Sequence, residues 1–168
     1  MIRYLKQRDE TSCGPIAVMN ALKWAGLRVT EKTHKKKMRQ LTNCQLHHGR
    51  GFGGCFPYDI DYALSQYESI NVYKKYDRVT FANGNLFEEI NLHLDKGGSL
   101  LIRYFCKPGR GHYTLCTSRT PRTYTLVNDS SKKTVINRSR MTMNHMLQTV
   151  NDSLGMVEHP VIWFLKRK

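Results

Sequence analysis

The sequence contains no hydrophobic segment long enough to cross a membrane. No part of the 168 residues approaches the roughly 18 consecutive apolar residues that a membrane span requires. The start, Met1 to Lys6, also lacks the apolar core of a secretory signal. We therefore expect neither a membrane span nor classical secretion, and we predict a cytoplasmic location.

Acidic residues are scarce compared with basic ones. The chain carries 13 Asp and Glu against 27 Lys and Arg, a formal net charge of +14. Such a field attracts nucleic acid, acidic proteins or anionic membrane surfaces. Aromatic and basic residues do not alternate as in a recognised nucleic-acid module, so nucleic acid is an alternative partner that we do not favour. We favour a protein or peptide, acidic in character, and the sequence predicts no oligomeric state.

The five cysteines show no disulfide framework and no closed metal site. An odd number of cysteines suits a reducing compartment. Cys44, His47, His48 and Cys55 lie close together, but their spacing matches no structural zinc site. We therefore predict neither a metal nor a cofactor. The glycine-rich stretch 43–57 is interpreted as a loop in the wall of a substrate cleft, with an ordinary surface loop as the alternative.

The order of the predicted elements indicates an α+β fold in one domain, residues 1–168. Residues 1–7 are predicted to form a short strand or an extended arm. Helices are predicted from Thr11 to Gly26 and over Thr30–Leu41, Tyr58–Tyr67, Leu86–Leu94 and Thr142–Val150. Strands are predicted over Ser99–Cys106, His112–Thr117, Thr123–Val127, Thr134–Asn137 and Val161–Leu165.

Cys13 is the strongest candidate for a chemically active residue. It stands at the predicted start of the first helix, directly before Gly14 and Pro15. The positive end of the helix dipole favours a thiolate over a thiol, and the thiolate is the strong nucleophile. This position predicts a nucleophilic cysteine with a pKa below the usual value. The alternative is a buried structural thiol, which is a common role for cysteine.

Three further residues could complete a site around Cys13. The amide of Gln7 could donate to a developing oxyanion beside the Cys13 backbone N–H, although a surface glutamine is the alternative. His112 opens one predicted strand and Asp129 ends the next, so adjacent antiparallel strands would bring them together. An aspartate in that place fixes the imidazole tautomer and stabilises the imidazolium. A turn histidine and a strand-ending aspartate are the alternatives.

Gln7, Ser12-Cys13-Gly14-Pro15, Gly111-His112-Tyr113 and Asn128-Asp129-Ser130 together resemble the papain-like cysteine peptidases. Within these peptidases, the sequence is most similar to the bacteriocin-processing, double-glycine group. The motifs cover about residues 5–26 and 98–130. The resemblance implies a papain-like fold, with a helical first half packed on an antiparallel sheet from the second half.

The resemblance also implies a role for each of the four residues. Cys13 is expected to be the nucleophile, His112 the general base and acid, Asp129 the residue that orients His112, and Gln7 the oxyanion donor. The expected reaction is hydrolysis of peptide or isopeptide bonds through a thioester. The same residues would also serve an acyltransferase, a transamidase or a deamidase. A basic nucleic-acid-binding or protein-binding module with a vestigial site is a further alternative.

Overall fold

A six-stranded antiparallel sheet forms the centre of the fold. The computed structural model describes residues 2–9, 11–44, 55–76, 86–107, 110–129, 136–142 and 160–168, with the backbone alone for 105–107, 110, 129 and 136–142. The strands are β1 (Ile70–Tyr76), β2 (Ser99–Lys107), β3 (Arg110–Arg119), β4 (Thr123–Asp129), β5 (Ile136–Thr142) and β6 (Val161–Arg167). Their order in the sheet is β1-β6-β2-β3-β4-β5, and every neighbouring pair is antiparallel.

The helices cover both faces of this sheet. The described residues form α1 (Cys13–Trp24), α2 (Glu31–Leu41), α3 (Pro57–Ser65) and α4 (Leu86–Asp95). Residues of α1, α2 and α3 share one apolar cluster with one set of sheet side chains, and residues of α4 share a second cluster with the other set. Because side chains alternate across a strand, Leu101 and Trp163 belong to the first cluster and Leu100 and Phe164 to the second.

Helix α1 is the central helix of the fold. All of its residues except Lys23 are buried, as expected for a helix enclosed by a sheet and two other helices. Pro15 lies in the first turn, where its missing N–H breaks no helical hydrogen bond. Gly26 follows the helix with a φ of 97°, a conformation that glycine adopts without strain. The amide of Leu27 then donates to the Leu22 carbonyl and closes the last turn.

Helix α2 carries much of the excess positive charge on an exposed surface. Met38 is its only buried residue, and most of its other side chains are lysine, arginine or polar. Thr30 caps the helix by accepting a hydrogen bond from the Thr33 amide. Among the described helices, none combines the length and the apolar character needed to cross a bilayer.

The structure confirms the predicted α+β class and most of the predicted elements. The prediction missed β1, although Ile70 and Val72 alternate with polar residues as in a strand that pairs at the sheet edge. Helix α3 covers Pro57–Ser65 instead of the predicted Tyr58–Tyr67. Strand β5 covers Ile136–Thr142 instead of the predicted Thr134–Asn137. Residues 2–8 form neither a strand nor a helix. The predicted helix Thr142–Val150 and the loop 43–57 fall largely outside the described residues.

Candidate active site

Cys13 is the first residue of α1, and Asp9 organises the turn that leads into this helix. The carboxylate of Asp9 accepts hydrogen bonds from the backbone amides of Thr11 and Ser12, at 3.1 and 2.8 Å. Its other oxygen lies 2.8 Å from the Arg39 guanidinium. Burial raises the pKa of Asp9, but the hydrogen bonds from Ser12 and Thr11 and the charge of Arg39 outweigh it and lower the pKa to about 2. Asp9 is therefore ionised at neutral pH and holds the turn that leads into α1.

The sulfur of Cys13 is buried against strand β3. Its neighbour there is Tyr113, the residue after His112, which gives the sulfur a backbone hydrogen bond. Burial raises the pKa of the Cys13 thiol to about 11, although the Tyr113 and helix-start amides act in the opposite direction. The sequence-based prediction of a lowered pKa is therefore wrong for this state of the protein. Removal from water destabilises the thiolate more than the helix dipole stabilises it.

Gln7 and Asn128 hold each other through two hydrogen bonds. The Gln7 backbone amide donates to Asn128 Oδ1 at 2.8 Å, and Asn128 Nδ2 donates to Gln7 Oε1 at 3.0 Å. The Gln7 side chain is buried, so its interpretation as a surface glutamine is wrong. Its Nε2 donates to the Asp9 carbonyl at 3.0 Å, which uses one of its two N–H groups. The second N–H is the group that the oxyanion role requires.

His112 is buried beside the same asparagine. Its Nε2 lies 2.6 Å from the Asn128 carbonyl oxygen, and its ring meets the Tyr104 ring edge to face at 5.6 Å. A carbonyl oxygen only accepts hydrogen bonds, so Nε2 must carry the proton that is donated to it. In the neutral ring, Nδ1 then holds the free electron pair. The contact with Asn128 therefore selects the tautomer in which Nδ1 is the basic nitrogen.

Asn128 connects the predicted site residues. It is fully buried, and its φ of 59° lies in the left-handed region, which asparagine tolerates better than most residues. Through it, the structure brings Gln7 and His112 together, and Tyr113 brings Cys13 to the same part of β3. Asp129 follows Asn128 at the end of β4, but its side chain lies outside the described part of the chain. The approach of the His112 ring to the sulfur and the role of Asp129 stay predictions.

Two more thiols lie next to the start of α1. Cys55 packs so closely on Gly14 that a β-carbon there would lie 2.6 Å from the Cys55 sulfur, so only glycine fits. The Cys44 sulfur lies 3.1 Å from the Thr11 carbonyl. The described residues contain no group of three or more His, Cys, Asp or Glu side chains arranged to hold a metal. His47 and His48 lie outside the described residues.

The sequence analysis missed Asp9, the contacts that Asn128 makes with Gln7 and His112, and the position of Cys44 and Cys55 beside the start of α1. Asp9 could have been found, because an aspartate commonly accepts a hydrogen bond from the backbone amide two residues later and so forms a turn. Asn128 could not, because its role depends on a backbone conformation and on a contact with Gln7, 121 positions away. The two thiols are brought to Cys13 by the packing of α2 and α3 against α1.

Comparisons with known proteins agree with this arrangement. The model of the Peptidase_C39 like family matches residues 1–153. The peptidase domain of Streptococcus ComA, a bi-functional ABC transporter of a quorum-sensing pathway, is 12% identical, with a TM-score of 0.55 and 98% of each chain covered. A C39-like peptidase from Bacillus anthracis is 14% identical, with a TM-score of 0.60, and 99% of this chain and 96% of that chain are covered. No curated protein matches the sequence.

The matches establish first the fold class of this protein and then its family. The fold is that of the papain-like cysteine peptidases, as in the two solved C39 domains, and the expected fold class is confirmed. The chain belongs to the Peptidase_C39 like family, and it is a cysteine peptidase-like hydrolase. The resemblance noted in the sequence is thereby confirmed.

Proposed function

We propose that this protein hydrolyses peptide or isopeptide bonds through a thioester on Cys13. The observation that carries the proposal is the convergence at one end of the sheet. Cys13 hydrogen-bonds Tyr113, and the adjacent His112 shares Asn128 with Gln7. Gln7 and Cys13, from the start of the chain, thereby lie in the same part of the fold as His112 of β3 and the backbone of Asp129, and this supports the proposal.

The proposed reaction starts from a neutral thiol and a neutral imidazole. As the Cys13 sulfur attacks the carbonyl carbon, its proton passes to Nδ1 of His112, because Nε2 already donates to Asn128. The tetrahedral oxyanion accepts hydrogen bonds from the Cys13 backbone N–H and from Nε2 of Gln7. The imidazolium then protonates the leaving amine, and the thioester remains. Asp129 is proposed to stabilise this imidazolium.

Deacylation uses the same groups in reverse. His112 accepts a proton from water, the hydroxide adds to the thioester carbonyl, and the thiol of Cys13 leaves with that proton. The products are a carboxylic acid and the free enzyme. If an amine replaced water in this step, the enzyme would be a transferase, so the hydrolysis of the thioester is part of the proposal.

An acidic peptide is the proposed substrate class. Helix α2 is strongly basic and exposed, and Arg39 and Lys35 connect it to Asp9 at the start of α1. Its remaining lysines are available to attract acidic side chains near the proposed nucleophile. Cys13, Cys44, Cys55 and Cys116 are free thiols, which supports the proposed cytoplasmic location, a reducing compartment.

The test compares two buried cysteines. Wild-type protein, Cys13→Ala and Cys116→Ala would each be incubated with a peptide library, with and without an added primary amine, and the products identified by mass spectrometry. We expect wild type and Cys116→Ala to yield peptides with new carboxyl ends, and Cys13→Ala to yield none. Cleavage by Cys13→Ala would overturn the thioester mechanism. Exclusive formation of amine adducts or deamidated glutamine would replace hydrolysis with transfer or deamidation.

A further inference from the structure

Cys44 and Cys55 take no part in the proposed reaction, yet the fold buries both of them together. Cys44 follows α2 after a turn in which Asn43 has a φ of 43°, and its amide donates to the Arg39 carbonyl at 2.9 Å. Cys55 stands two residues before the start of α3, and Tyr113 Oη donates to its carbonyl at 2.9 Å. Backbone contacts therefore fix both residues where two helices meet the start of α1.

Both sulfurs lie beside the start of α1: the Cys44 thiol donates to the Thr11 carbonyl at 3.1 Å, and the Cys55 sulfur packs on Gly14. The Cys55 thiol hydrogen-bonds the Cys44 sulfur, and this bond lowers the pKa of Cys44, with the Arg39 guanidinium acting in the same direction. The same bond, together with burial, raises the pKa of Cys55. Cys44 is thus the member of the pair with more thiolate character, and Cys55 is the member that keeps its proton.

We propose that Cys44 and Cys55 form a redox modification site, a dithiol that a hydroperoxide converts to a disulfide beside Cys13. The geometry that supports it is the position of both sulfurs against the start of α1, Cys44 at Thr11 and Cys55 at Gly14, on the segments that follow α2 and precede α3. Intracellular disulfides of this kind are usually transient and redox-sensing rather than structural.

The chemistry balances with the hydroperoxide as the only oxidant. The Cys44 thiolate attacks the outer peroxide oxygen, the O–O bond breaks, and the products are the Cys44 sulfenic acid and an alcohol, or water from hydrogen peroxide. The Cys55 sulfur then attacks the sulfenic sulfur, the S–S bond forms, and the hydroxyl leaves as water with the Cys55 proton. Two thiols are oxidised and one peroxide is reduced.

The surroundings favour this pair over the other described thiols. Cys13 is buried, with a pKa of about 11, and Cys116 is buried in the second cluster, with a pKa of about 12. Neither holds an appreciable thiolate fraction at neutral pH, and the thiolate is the form that peroxides oxidise. A Cys44 sulfenic acid also has a partner thiol within contact, so the disulfide closes before further oxidation.

The test is a thiol map of the folded wild-type protein. The reduced protein is treated with one equivalent of hydrogen peroxide, unfolded, alkylated with iodoacetamide, digested and examined by mass spectrometry. We expect a cross-linked peptide that contains Cys44 and Cys55, with Cys13 and Cys116 alkylated. Recovery of Cys44 and Cys55 as alkylated thiols overturns the proposal, and so does a cross-link of Cys13 to either of them.

Two variants and a second reagent sharpen the result. Cys55→Ser should leave Cys44 without its partner and abolish the cross-link, whereas Cys116→Ser should retain it. Phenylarsine oxide, which bridges two neighbouring thiols, should bind the reduced wild type with one equivalent and bind Cys55→Ser at least about tenfold more weakly. Equal binding to both would contradict the contact between the sulfurs. If Cys55→Ser fails to fold, the thiol map of the wild-type protein tests the proposal by itself. The outcome of that map does not depend on whether Cys13 is the nucleophile.

Discussion

Two regions of the molecule, one around α4 and one at the start of β3, each bury a histidine, and the two histidines are alike in burial but differ in their surroundings. His93, on α4, places Nε2 3.0 Å from the Ser99 carbonyl and Nδ1 3.0 Å from the Tyr73 hydroxyl. His112, on β3, places Nε2 2.6 Å from the Asn128 carbonyl and is edge to face with Tyr104. Both rings thus have a backbone carbonyl and an aromatic neighbour.

The difference lies in what stands next to each ring. His93 contacts Phe164 and Tyr73 in an aromatic cluster, and burial lowers its pKa, so it remains neutral at pH 7. His112 is followed by Tyr113, which contacts Cys13, and it shares Asn128 with Gln7. Burial of a histidine therefore does not identify a catalytic residue in this fold. The proposed role of His112 rests instead on the nearby Cys13 and Gln7 and on the tautomer that Asn128 selects.

The largest expected effect separates the two histidines by activity. We expect His112→Ala to lower kcat by about 10²–10⁴-fold, since it removes the proposed proton acceptor. His93→Ala should leave kcat within about threefold and lower the free energy of unfolding by about 1–3 kcal/mol, because Ser99 and Tyr73 lose a buried partner. Peptide turnover and urea unfolding of both variants provide the measurements.

Either of two results would break this comparison. Activity of His112→Ala at the wild-type level would remove His112 from the mechanism. A loss of activity in folded His93→Ala as large as in His112→Ala would show that the surroundings of His93 also take part in the reaction.

The second prediction concerns Gln7 and its two functions. Gln7→Glu keeps an oxygen that accepts from Asn128 Nδ2 but removes the N–H groups proposed for the oxyanion. We expect kcat to fall by about 10²-fold with little change in KM, since this interaction belongs to the transition state. Gln66→Glu, at the exposed end of α3, is the matched control and should change neither constant. A rise in KM alone would assign Gln7 to substrate binding instead.

The two histidines also show which features of a site can be predicted from the sequence. Cys13, His112 and Gln7 were predicted from their places at a helix start, a strand start and a loop, and the structure brings them to one end of the sheet. Those places follow from local patterns of capping, turn and apolar residues. The partners of His93 could not be predicted, because Tyr73 and Ser99 reach it through the pairing of β1 with β6 and of β6 with β2.

The pKa of Cys13 shows a second limit of sequence reasoning. A helix start predicts a stabilised thiolate, and this rests on local geometry alone. Whether water reaches the sulfur depends on how β3, Cys44 and Cys55 pack around it. This tertiary packing cannot be predicted from the local sequence. Burial determines the outcome here and raises the pKa to about 11.

The third prediction tests the packing of the α4 face. A β-carbon at Gly98 would lie 2.2 Å from two atoms of the His93 ring. Gly98→Ala should therefore displace the ring and lower the free energy of unfolding by about 1–3 kcal/mol, with no direct effect on kcat. In His93→Ala the ring is absent, so adding Gly98→Ala there should cost much less than in wild type. Additive losses in urea unfolding would show that the ring is not the obstacle.

The smallest effect is expected at Asp9, on the α1 face. Its pKa of about 2 lies below the ordinary value of 3.8, so the folded state favours the carboxylate. The stability that this gives is complete above about pH 4 and is lost as the pH falls towards 2. Asp9→Ala should lower the free energy of unfolding by about 1 kcal/mol at pH 7, because the Thr11 and Ser12 amides lose their hydrogen-bond acceptor. Asp9→Asn keeps an oxygen for those amides but loses the charge that faces Arg39, so it should cost less at pH 7 and flatten the acid limb between pH 4 and 2. Unfolding curves measured across this range decide it, since an unchanged acid limb in Asp9→Asn would mean that other carboxylates control the acid stability of this face.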